Sequence, residues 1–307
     1  MVKIVLAIAL TISVILNAFL YNNYPKVKST ILVNQYPYLS KRILADSTND
    51  ILLNFLNLRQ DIQTTTDPYG DSFGMYFEYL PTGTSIGVNS TVDFHEASLF
   101  KIPVVMAYFH QLERLKTRDD PVITLQKSDL DSQFGNLYKK GAGYKIKLSD
   151  AVKLAITDSD NTAIKLVVPR ITQDDFDHVY QALDLTLTTD KNGAILNPRG
   201  YSSILKALYF SSVLSLNDSE YILNLMTKTK FVDKIPAGVP DNIPIAHKIG
   251  VYNKDGKDEG YMDCGIVFVP NRPYILCMIS QSDEQTARER MQQISRKIYN
   301  YVSNVAH

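Results

Sequence analysis

An α+β fold, one five-stranded antiparallel sheet flanked by helices plus an all-helical lobe, is what this chain predicts, and three observations carry it. Two short β-type runs follow the first globular helix, and three more arrive near the C-terminus. The residues between them hold helical patterns with no convincing strand pair, so both ends of the chain must supply one sheet. The final stretch places Ala287, Met291, Ile294, Ile298 and Val302 on one stripe, a closing helix with an apolar face to lay on that sheet.

Taken in order, the chain begins differently from the rest. Lys3 is followed by IVLAIALTISVILNAFLY, an uncharged run of about 18 residues, long enough to cross a bilayer as a helix. Residues 1–22 are therefore expected to be a membrane anchor or signal segment. The sequence Ala18-Phe19-Leu20-Tyr21-Asn22 lacks the small-residue pattern of a cleavage site, which favours an uncleaved anchor. Lys26 and Lys28 compete with Lys3, so charge does not orient the segment. Residues 23–48, with Pro25 and Pro37 and no clear period, read as a linker or surface strap, and the domain is expected over 49–307. Ile51, Leu52, Phe55 and Leu58 fall at helical spacing. The runs GMYFEYL (74–80) and SIGVNST (85–91) flank Pro81-Thr82-Gly83 as a hairpin. A helix is expected from Ser98 to about Leu115, and further helices at LSDAVKLAIT, DNTAIKLVV and YSSILKALYF. The late strands are IPIAHKIGVY (243–252), GYMDCGIVFV (260–269) and PYILCMIS (273–280), the last two joined by Pro270-Asn271-Arg272.

Composition sets bounds on function. With 307 residues, 45% hydrophobic content and a formal charge of zero, the chain can bury a full core and has no electrostatic bias toward nucleic acid. Cys264 and Cys277 are too few for a disulfide framework and lack zinc-type spacing, so neither metal nor cofactor is expected. They read as two buried thiols that could meet across a hairpin.

One stretch carries chemistry. HEASLFKIPVV (95–105) puts Ser98 at a helix start with Lys101 three residues on, one turn above it on the same face. A helix-start serine has an unpaired N–H, a donor for a developing oxyanion, and a desolvated lysine can take its hydroxyl proton. Pro103 falls in the first turn, where its missing N–H costs nothing. A second copy of the pattern, Ser203-Ile-Leu-Lys206, lies inside a helix without the preceding turn and reads as polar residues on its exposed face. Downstream, Ser159-Asp160-Asn161 reads alone as a cap, with Asp158 or Ser159 starting a helix, and Lys248-Ile249-Gly250 reads alone as the end of an edge strand.

Together and in this order they are the S-x-x-K, S-D-N and K-T-G set with one substitution, and the chain from about Asn49 onward resembles the class A β-lactamases among penicillin-recognising serine enzymes. The resemblance implies a five-stranded antiparallel sheet, a helical lobe and an active site in the cleft between. It makes Ser98 the acylated nucleophile and Lys101 its proton acceptor. Ser159 would relay a proton to the leaving nitrogen, with Lys248 bonded to it. Asn161 would hold the substrate amide. Val251 would supply the second oxyanion N–H, and Gly250 would leave room along the strand.

Two departures qualify the likeness. Ile249 stands where the family has Thr or Ser, which removes a charge-assisted hydrogen bond worth about 1.5 to 3 kcal/mol to a substrate carboxylate. The family's ExxLN loop also carries a glutamate that activates the deacylating water, whereas Ile171 to Ser219 contains one in no position. Gly193–Asn197 can be laid on that pattern with glycine in place of the acid; alternatively Asn197-Pro198-Arg199 leads into the next helix and the loop is short. Asp190 is the nearest acid, too short and wrongly placed. The expected activity is therefore that of a serine acyl-hydrolase on β-lactams or D-alanyl-D-alanine-type amides, a small molecule or peptidoglycan peptide, with slow deacylation. A true antibiotic-hydrolysing β-lactamase and a membrane-tethered cell-wall sensor are the alternatives. A monomer on the outer face of the membrane, with no nucleic-acid partner, completes the expectation.

Overall fold

The computed structural model of the chain describes residues 55–190, 193–254 and 257–304. The expected anchor and linker lie outside the described residues, as do Ile51 and Leu52. Among the described residues no helix is long and apolar enough to cross a membrane.

Helix α1 (Leu56–Thr66) leads into the hairpin β1 (Phe73–Tyr79) and β2 (Thr84–Val88). Strand β3 (Phe94–His95) and a 3-10 turn (Ala97–Phe100) then enter α2 (Lys101–Arg114). The insert holds β4 (Val122–Thr124), β5 (Lys145–Lys147), α3 (Leu148–Thr157), α4 (Asn161–Val167), α5 (Gln173–Gln181), β6 (Thr188–Asp190), β7 (Gly193–Leu196), α6 (Pro198–Phe210) and α7 (Leu216–Met226). The chain returns through β8 (Ile245–Lys254), β9 (Lys257–Val267) and β10 (Tyr274–Ser280), and closes with α8 (Glu284–Asn304).

The five long strands form one antiparallel sheet in the order β2-β1-β10-β9-β8, so the first hairpin joins the late strands through β1 and β10. Every residue of β1 and β10 is buried because the sheet is covered on both faces. Phe73, Met75, Phe77 and Tyr79 share a core with Phe55, Leu58 and Ile62 at α1, and with the α8 stripe Ala287, Met291, Ile294, Ile298 and Val302. The alternate residues face α6, and there Lys206 pairs with Glu78 at 3.1 Å while Tyr76 donates to the same carboxylate at 2.9 Å. The second S-x-x-K copy therefore does not simply face solvent: its lysine pairs with a buried acid. Each large side chain of the α8 stripe contributes about 1.5–3 kcal/mol by leaving water.

The helical insert is as expected except for two small sheets that the sequence did not announce, β4 with β5, and β3-β7-β6. Their strands are two to four residues long and only partly buried, too short to write an alternating pattern. Cys264 and Cys277 stand directly opposite each other on β9 and β10, both buried and both free.

Candidate active site

The turn that carries Ser98 is held in an unusual backbone state. Ala97 has φ 46°, left-handed for a residue with a Cβ, and reverses the chain between β3 and the 3-10 turn. Gly250 on the edge strand β8 explains how the turn packs so closely: a Cβ there would stand 3.2 Å from the Glu96 carbonyl oxygen and 3.4 Å from the Ala97 Cβ. Ser98 is half-buried and opens on a cleft of about 650 Å³ between the sheet edge and the helical lobe. Pro103 sits in the first turn of α2, as expected.

Lys101 and Ser159 converge behind it. The Lys101 ammonium, 5% exposed, donates to Asn161 Oδ1 at 2.7 Å, to Ser159 Oγ at 3.2 Å and to the Ser159 carbonyl oxygen. Its three protons are therefore spent on these acceptors and none on Ser98, a refinement of the direct Lys101–Ser98 contact that the spacing allows. Burial pulls the Lys101 pKa down to about 8, opposed by the charges of Asp160 and Asp131. Lys248 is fully buried and donates to Ser159 Oγ at 2.6 Å and to the Ile249 carbonyl at 3.0 Å. Burial, and then repulsion from Lys101, hold its pKa well below the usual lysine value. Ser159, with φ 52° between α3 and α4, thus accepts from two lysines, which leaves its own O–H free to donate into the cleft.

Asp160, not Asp158 or Ser159, is the cap. One carboxylate oxygen accepts from Ala163 N at 2.9 Å, and the other accepts from Asn136 N at 2.7 Å and Leu137 N at 2.8 Å. A Cβ at Gly135, which has φ 89°, would collide with this carboxylate at 2.1 Å. The strap is doubled by Asp131, which accepts from Gln133 N at 3.0 Å and Asn161 Nδ2 at 3.3 Å and pairs with Lys165 at 2.9 Å. Asn161 is consequently held at both ends of its carboxamide while it lines the cleft.

Ile249 and Val251 line the cleft as well, so every residue singled out in the sequence, Ser98, Lys101, Ser159, Asn161, Lys248, Gly250 and Val251, lies in or against one site. The loop is a different matter. None of the described residues from Asp184 to Pro198 lines the cleft, because Gly193–Leu196 pairs with Phe94–His95 as β7 and Asn197 caps α6 by accepting from Gly200 N at 2.8 Å. Of the two overlays, the short loop leading into α6 is the one the structure adopts.

Several cleft residues carry no motif. Phe134 and Phe231 face each other with ring centroids 5.6 Å apart, and Lys234, 4% exposed, adds to Lys101 and Lys248 a third buried lysine, whose partner is Asp233 at 3.0 Å. They come from loops whose approach depends on the whole fold.

The model of the beta-lactamase enzyme family matches residues 57–302. No curated protein sequence matches the chain. Among solved structures, PBP-A aligns with a TM-score of 0.73 at 24% identity over 81% of this chain and 97% of its own. A beta-lactamase from Sphaerobacter thermophilus aligns with a TM-score of 0.72 at 19% identity over 83% of this chain and 100% of its own. A class A beta-lactamase from Bacteroides cellulosilyticus aligns at 0.71 and 18% identity over 80% of this chain and 96% of its own. At these identities the likeness is one of fold. A variant of PBP-A has been seen as an acyl-enzyme with penicillin G.

Proposed function

The chain belongs to the beta-lactamase enzyme family and is a serine hydrolase of that type, and from that premise we propose that Ser98 opens β-lactams or cleaves D-alanyl-D-alanine-type amides through a covalent acyl-enzyme that clears slowly. The observation that carries this reading is the convergence of two depressed lysines, Lys101 and Lys248, on the one hydroxyl of Ser159 beside Ser98.

In this reading neutral Lys101 takes the Ser98 proton as Oγ attacks the carbonyl carbon. The oxyanion is met by the N–H groups of Ser98 and Val251. Ser159 donates its proton to the departing nitrogen, and Lys248 replenishes the local positive potential. Lys234, which lines the cleft, and Lys248, buried behind Ser159, favour a substrate that carries a carboxylate. Slow clearance is supported by the short loop, which brings no acid to the cleft. The N-terminal apolar run favours a single-pass anchor with the domain outside the cell, where such substrates occur.

The test is covalent labelling with a fluorescent penicillin. Ser98→Ala is expected to abolish the label and Ser203→Ala to retain it, and equal labelling of both would remove Ser98 from its role. Release of the label by an acyl-D-Ala-D-Ala peptide separates a peptidase from a sensor without turnover.

Ile249 makes a separate prediction. Its side chain lines the cleft where a hydroxyl would meet the carboxylate. Ile249→Thr is expected to tighten binding of carboxylate-bearing lactams about tenfold, equivalent to about 1.4 kcal/mol, measured as the concentration that half-saturates acylation. No gain would mean that the carboxylate lies elsewhere.

A further inference from the structure

Two residues before Ser98, Glu96 is 2% exposed, and neither of its carboxyl oxygens has a hydrogen-bond partner. Beside it the Tyr180 hydroxyl, on α5, is also buried without a partner. The two sense each other, since the Glu96 charge is one cause of the raised Tyr180 pKa, yet they do not bond directly. Two buried polar groups that sense each other and both lack a protein partner are of the kind that water satisfies in a folded protein. Tyr201 on α6 also senses the Glu96 charge, and its hydroxyl is already committed to the Leu99 carbonyl at 3.0 Å. Among the described residues no cation forms an ion pair with Glu96, and Lys101 on α2 is spent on Ser159 and Asn161.

The backbone of Glu96 is fixed against β7, where its N–H donates to the Ala194 carbonyl at 2.8 Å. Tethered two residues from Ser98, its backbone lies within about 7 Å of the nucleophile's along the chain.

We propose that Glu96 is the proton acceptor for the second half of the reaction, acting on the hydrolytic water through water held between its carboxyl and the Tyr180 hydroxyl. The proposal rests on the acyl-enzyme reading above. As a water oxygen bonds to the acyl carbon of the Ser98 ester, its proton passes to the Glu96 carboxylate. The carbon–Oγ bond then breaks, the Ser98 oxygen recovers a proton from Glu96, and the acid product leaves. Burial alone raises the Glu96 pKa to about 8, so near pH 7 about one molecule in ten carries the base, which fits a slow clearance.

The experiment uses the full chain acylated with benzylpenicillin and follows adduct formation and adduct decay separately by intact mass. In the unmodified protein decay is expected to speed up about tenfold between pH 7 and pH 9 and then level, as one group with a pKa near 8 ionises. Attack by hydroxide would instead rise about a hundredfold over the same two units and would not level. Glu96→Gln is expected to form the adduct within about threefold of the unmodified rate and to lose it at least tenfold more slowly at pH 9, the low end of a general-base loss, without the levelling profile. A melting curve checks its fold, which the neutral amide should favour at alkaline pH because it removes a buried charge. Tyr180→Phe, which takes one partner from the water, is expected to slow decay severalfold with formation unchanged. Decay in Glu96→Gln that matches the unmodified protein in rate and pH profile would overturn the proposal, as would unchanged decay in Tyr180→Phe. If no adduct forms on Ser98, the acyl-enzyme reading fails first and takes this proposal with it.

Discussion

Lys101→Ala should slow acylation of Ser98 by at least about a hundredfold, the usual scale on which a general base is lost. The side chain is buried and holds three acceptors at the back of the cleft, so its removal takes away both the proton acceptor and the tie between Ser159 and Asn161. The pH dependence separates the two losses. With its pKa near 8, Lys101 is about 1% neutral near pH 6 and half neutral near pH 8, so acylation of the unmodified protein should rise about fiftyfold across that interval and then flatten. In Lys101→Ala this rise should vanish. A variant that keeps the rise, or loses less than tenfold in rate, would assign the proton to another group.

Asp160→Ala should be the most damaging single change to the fold of the site. It strands the N–H groups of Ala163, Asn136 and Leu137 around a side chain that is 1% exposed. Buried donors left unpaired cost about 1–3 kcal/mol each, so a loss of about 3 kcal/mol or more is expected. For a domain of this size that lowers the melting temperature by roughly 6–12 °C. Asp160→Asn should fall between the two, since it retains one acceptor oxygen. It also has an electrostatic consequence whose sign is fixed: the Asp160 charge raises the Lys101 pKa, so neutralising it should move the midpoint of acylation to lower pH. A midpoint that moves upward would contradict the placement of that charge.

The parts of this molecule that were legible in the sequence are those written in local periodicity or fixed spacing. The α8 stripe repeats at helical spacing and is fully buried on the sheet, as its pattern requires. Ser98 and Lys101 are one turn apart, and their meeting with Ser159 and Lys248 was readable because three short motifs stand in one order. What the pattern could not show are contacts made across distance. Asp160 bonds back to Asn136 and Leu137, more than twenty residues earlier, and reads locally only as one more helix-start candidate. Phe134 and Phe231 meet only when two loops close on the cleft. Glu96 looks like a polar residue in a turn, and its burial without a hydrogen-bond partner emerges only in the folded chain. The strands β3, β6 and β7 are too short to write a period, so only long-range pairing with β3 and β6 places the segment 193–198.

The central claim, a serine acyl-enzyme that forms on Ser98 and clears slowly, is tested most directly by intact-protein mass spectrometry of the benzylpenicillin-treated chain at neutral pH with peptide mapping of the adduct. One penicilloyl group per chain, on the peptide that contains Ser98, lasting minutes to hours and absent from Ser98→Ala, is the predicted result. An adduct mapped to another residue, or one on Ser98 that is gone within seconds, would contradict it.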